Sequence, residues 1–129
     1  MSSSITGLDH FISLDKAVEM TTVYRAEKEN ILIPELRGQN ILLKSETFDR
    51  SAFDAVLAQD GCLGIRIYFG MEDGLKVRLL AVGVAEGNID MLPNGTVGLS
   101  ATGDGGKIIE NGQPCPELCP PDSPLDPGP

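Results

Sequence analysis

Leu63-Gly64-Ile65-Arg66-Ile67-Tyr68-Phe69-Gly70-Met71-Glu72-Asp73-Gly74-Leu75-Lys76-Val77-Arg78-Leu79-Leu80-Ala81-Val82 is the stretch that decides the fold. Leu63, Ile65, Ile67 and Phe69 alternate with Gly64, Arg66 and Tyr68. Leu75, Val77, Leu79 and Ala81 alternate with Lys76, Arg78, Leu80 and Val82. Period-two alternation on both sides of an Asp-Gly turn predicts a β-hairpin. A two-residue loop sets Phe69 opposite Arg78. A three-residue loop with Gly74 in the left-handed region sets Phe69 opposite Val77 and Ile67 opposite Leu79. The second pairing keeps like with like and is preferred. Beyond Leu79 both faces turn apolar, so one end of the sheet should be covered on both sides.

Working outward, Asp49 reads as the N-cap of a helix over 50–59. Phe48 and Phe53 take the positions of a hydrophobic staple, and Gly61 supplies a left-handed stop. Further back, Ser13 caps a helix over 14–30 that ends before Pro34. The apolar residues 41–43 suggest a strand near 41–44. On the far side, 89–92 and 96–99 flank Asn94-Gly95 as a weaker second hairpin. The expected class is α+β: two helices packed on a small, mostly antiparallel sheet, all within residues 1–102.

Residues 103–129 differ in kind. They hold seven of the nine prolines, and Pro114-Cys115-Pro116-Glu117-Leu118-Cys119-Pro120-Pro121 fits neither helix nor central strand, because proline supplies no N–H. A flexible or loosely docked acidic tail is the expectation. Gly103-Asp104-Gly105-Gly106-Lys107 has the look of a phosphate loop. It lacks glycine at Ala101 and a hydroxyl at Ile108, and so reads as a hinge.

The chain has 129 residues, no tryptophan and a net charge of −9, so aliphatic side chains must build the core. Acid is spread over front and tail. That argues against nonspecific nucleic-acid binding, which needs a basic footprint, and against anionic membrane surfaces. No charged, apolar leader and no stretch of about 20 apolar residues occurs, and three cysteines fit a reducing compartment. A soluble cytoplasmic protein without a cofactor is expected.

Two groups of side chains carry candidate chemistry. Arg66, Tyr68, Lys76 and Arg78 fall on one face of the hairpin by alternation, a basic patch on an acidic chain and a docking surface for an acidic partner. The plain alternative is a solvated sheet face. Cys115 and Cys119 are spaced CxxxC. Free thiols are the ordinary reading, with a small disulfide or a metal site as alternatives. Two sulfurs leave a tetrahedral ion half-coordinated, and only Cys62 and His10 could complete a Cys₃His set. Cys62 itself reads as a small apolar residue, and His10 beside Asp9 has no nucleophile to serve. No hydrolase, zincin or dinucleotide motif is present.

With the capped helices, the staple Phe48-Asp49-Arg50-Ser51-Ala52-Phe53, the strand Gly64-Ile65-Arg66-Ile67-Tyr68-Phe69-Gly70 and the Cys-Pro run, the chain resembles small bacterial proteins of similar layout. Those proteins have no assigned activity, so the resemblance implies a layout and no function. The expected role is a non-enzymatic protein-interaction or accessory module with a protein partner, a second copy of the chain being one form of it. The alternative is a small metal- or thiol-dependent protein using Cys115 and Cys119.

Overall fold

Ser13 opens helix α1 (Leu14–Glu27), its hydroxyl accepting from Lys16 N–H at 3.1 Å. The computed structural model describes Gly7, residues 9–93 and residues 106–127. A 3-10 turn, Pro34–Leu36, is followed by β1 (Ser45–Thr47). Helix α2 (Arg50–Leu57) leads into β2 (Gly64–Glu72), β3 (Lys76–Ala85) and β4 (Ile89–Met91). Two short strands close the order, β5 (Ile108–Ile109) and β6 (Gln113–Cys115). Among the described residues the fold is thus α+β, with two helices and a mostly antiparallel sheet.

The chain divides into two compact units. The described part of the first comprises Gly7, Asp9, 48–70, 79–93 and 106–112. It is organised around β3, whose neighbours are β2, β4 and β5. Val82 pairs with Ile108 and Ala81 with Ile109, and two residues further on Gly83 pairs with Met91. Strands β5 and β4 therefore follow one another along β3. The chain re-enters beside Met91 by a close approach that needs glycine: a Cβ on Gly106 would lie 1.8 Å from the Met91 carbonyl oxygen. Ala81, Val82, Gly83 and Val84 are all buried, as the doubly apolar run requires. Against this end packs α2. Val56 joins Ala81 and Ile109 in the core, with Phe48, Ala52, Phe53, Cys62 and Ile65 around them. Asp49 caps α2 by accepting from Ser51 N–H at 3.0 Å, and the rings of Phe48 and Phe53 meet edge to face at 5.8 Å.

The described part of the second unit comprises 10–47, 71–78 and 113–127. In α1 the half-buried positions Ala17, Val18, Thr21 and Arg25 recur every three or four residues, and no residue is fully buried. Tyr24 OH donates to the Leu43 carbonyl at 2.6 Å. Strands β1 and β6 pair antiparallel, Ser45 with Cys115 and Thr47 with Gln113. The turn Asp73–Leu75 is a three-residue connection, one residue later than the loop that would pair Phe69 with Val77, and Gly74 takes the left-handed φ of 82°.

Several expectations need correction. The strand near 41–44 lies later, at Ser45–Thr47, because its partner is β6; Ile41 is a buried single residue whose carbonyl accepts from Val77 N–H. Helix α1 ends at Glu27 rather than 30, and α2 at Leu57 rather than 59. The tail is the largest correction. Ile109 and Cys115 are buried, and residues 108–109 and 113–115 are strands. A two-stranded sheet has only edges, and an edge tolerates the Pro114 that a central strand would exclude. The expected strand at 96–99 and the hinge residues Gly103–Gly105 lie outside the described residues.

Candidate functional site

The four basic-patch residues are divided between the units. In the first, Arg66 and Tyr68 converge on one carboxylate. Asp90, on β4, accepts from the Arg66 guanidinium through Oδ1 and from the Tyr68 hydroxyl through Oδ2, and Asn88 Oδ1 accepts from the second Arg66 nitrogen. The geometry follows from pairing: Val84 sits opposite Asp90, so β3 carries β4's acid alongside the β2 side chains. Donation to Asp90 holds the Tyr68 phenol above its ordinary pKa of 10.0. Ionising it would set two negative charges together.

In the second unit Arg78 is held by two acids. Its Nε donates to Glu46 Oε2 at 2.7 Å and its Nη1 to Glu72 Oε2 at 2.8 Å. The Glu46 side chain is 1% exposed, and its bond to Arg78 pushes the guanidinium's pKa up, with a smaller push from Glu72. Lys76 and Arg78, with Glu72, Glu117, Asn40, Leu43, Pro114 and Pro116, line a cleft of about 160 Å³. That is below the roughly 300–1,000 Å³ of ordinary small-molecule pockets. Tyr68 and Arg78 are thus each engaged by carboxylates of their own unit. The basic groups of Arg66 and Arg78 are neutralised from within the chain, and alternation alone gave no sign of it. Asp90, Glu46 and Glu72 come from other strands or the strand end.

The cysteine pair lies in the second unit as well. Cys115 and Cys119 form a disulfide, where free thiols were the ordinary expectation. The pairing Ser45–Cys115 and the bond from Lys44 N–H to the Cys115 carbonyl bring Lys44 to the same place. Lys44 Nζ lies 2.9 Å from Asp126 Oδ1, while Asp126 Oδ2 faces Cys115 Sγ at 3.5 Å. Asp126 is 9% exposed. Cys115, Cys119 and Asp126 form the metal-capable group among the described residues; Cys62 and His10 are not part of it. Cys62 is half-buried, its thiol donating to the Gly64 carbonyl, and His10 is exposed. Asp126 is the residue that sequence reading missed, being eleven positions from Cys115 with no fixed spacing to mark it.

Comparison with protein-family models, with curated proteins and with solved structures returns no match. No helix among the described residues is long and apolar enough to cross a membrane.

Proposed function

We propose that the chain is a non-enzymatic interaction module that takes an extended protein segment along β2 by strand addition. One observation carries the reading. Among the described residues the nine-residue β2 ends its sheet and yet holds Ile67 at 51% and Phe69 at 78% exposure. Terminal strands usually protect themselves with charges, prolines or bulges. From Ile67 to Met71 this strand carries no charge and no proline. Strand addition supplies backbone bonds for affinity and alternate side chains for selectivity.

The segment most readily at hand is β2 of a second copy. An antiparallel pairing centred on Tyr68 sets Ile67 against Phe69 of the other copy and Ile65 against Met71. Arg66 meets Gly70, so no like charges oppose one another. Because Arg66 and Arg78 are already paired within the chain, association should respond little to salt. Sedimentation equilibrium over a wide concentration range tests this. The expected result is a dimer that persists at high salt and that Phe69→Asp abolishes. A chain that stays monomeric at every concentration would overturn the reading, as would a dimer unaffected by Phe69→Asp.

A further inference from the structure

We propose that, once reduced, Cys115, Cys119 and Asp126 form a three-ligand site for a thiophilic divalent cation of the zinc class. The oxygen donor is Asp126. Its side chain is only 11% exposed, Oδ1 is held by Lys44, and Oδ2 faces the Cys115 sulfur at 3.5 Å. In the disulfide that sulfur carries no hydrogen. Oδ2 is therefore a buried acceptor aimed at a group that cannot donate, an arrangement with a desolvation cost.

Reduction changes what the sulfurs offer. Two molecules of a low-molecular-weight thiol deliver two electrons and two protons to the Cys115–Cys119 bond, giving two protein thiols and one external disulfide. A zinc ion then replaces the two thiol protons, which pass to solvent. Two thiolates and one carboxylate supply three donors, and a fourth position stays open to water, as in sites with three protein ligands.

The distances suit such an ion. All three donor atoms lie within 4.8 Å of one another. In a tetrahedron with Zn–S of about 2.3 Å and Zn–O of about 2.0 Å, sulfur and oxygen stand about 3.5 Å apart. That is the Cys115–Asp126 separation already present. The sulfurs must part, which rotation of their side chains can provide. Lys44 acts as the outer partner. By bonding Oδ1 it orients Oδ2 toward the sulfurs, the part that hydrogen-bonded groups behind metal ligands commonly play.

The test uses the full chain in both redox states. Protein reduced with a phosphine, desalted without air and dialysed first with zinc sulfate and then without it should retain about one zinc per chain. The disulfide form should retain none. Cobalt(II) in place of zinc should give a thiolate-to-cobalt charge-transfer band in the reduced form alone. Asp126→Asn should weaken zinc binding by roughly tenfold or more, and Cys62→Ser should leave it unchanged. Absence of zinc and of the cobalt band from the reduced wild type would overturn the proposal without reliance on any variant. So would equal retention by the disulfide form, undiminished affinity in Asp126→Asn, or loss of zinc in a folded Cys62→Ser chain.

Discussion

Glu46 sits almost wholly out of water, against an arginine that a second acid also holds. Taking a charge from water is costly, and the cost is recovered only while the partner stays in place. Arg78→Leu should therefore destabilise the chain by about 3 kcal/mol. Adding Glu46→Leu should restore most of the loss, because the buried charge leaves with its partner. Urea titration of the single and double variants checks this; a double variant less stable than the single would refute it. The two tyrosines provide a second test at this scale. Burial raises the pKa of Tyr24, with help from Glu29, and the bond to Asp90 raises that of Tyr68. A raised phenol pKa contributes stability that is complete below the unfolded value near 10.0 and is lost as pH rises through the folded value. Absorbance titration of the native chain should thus run at higher pH than in denaturant, and thermal stability should fall above pH 10. Coincident native and denatured curves would contradict both assignments.

Local chemistry made most of the elements readable. Ser13 and Asp49 are short polar side chains directly ahead of apolar periodicity. Gly74 follows an acid between two alternating runs, and its left-handed φ is where the turn needs it. Each of these signals is local and needs no knowledge of the rest of the chain. Helix α2 tests how much such signals carry. Asp49→Ala should lower the melting temperature, and Phe53→Ala should cost about 3 kcal/mol, the lower end for a phenylalanine that is only partly buried. If Asp49→Ala proves more damaging than Phe53→Ala, the staple is not what anchors the helix. By contrast β5 and β6, of two and three residues, carry no pattern of their own. Their strand character comes from β3 and β1, which lie far away in sequence. The candidate site shared that fate: Cys115 and Cys119 were visible by spacing, whereas Asp126 and Lys44 join them only through tertiary pairing. The disulfide joins residues only four apart, and a ring this small contributes about 2 kcal/mol by chain entropy. The reduced chain should therefore melt a few degrees lower yet remain cooperatively folded.

At the level of the whole chain, the proline-rich end is a working part of both units. Ile109 lies in the core with Val56 and Ala81, and β6 is the partner of β1. Truncation before Gly103 should therefore abolish cooperative unfolding. Ile109→Ala alone should cost about 2–5 kcal/mol, a large share of the roughly 5–15 kcal/mol that holds a small domain together. A truncated chain with an unchanged melting transition would return these residues to the status of an appendage. Composition misled here because proline and glycine density reports on local conformational freedom, while burial is decided by which distant surfaces remain uncovered.

The pairings of β5 with β3 and of β6 with β1 also set an order of events at the ribosome. Lys44 and Asp126 are 82 residues apart, and Ile109 meets a strand that was synthesised well before it. Until residues 106–127 have been made, the nascent chain can form its helices and hairpin but can complete neither unit. The apolar edge of β3 must wait uncovered for β5. Closing such distant contacts is entropically slow. During that interval the emerging polypeptide presents a strand edge that a holding chaperone would recognise, and its yield in the cell should depend on how quickly residues 106–127 are translated.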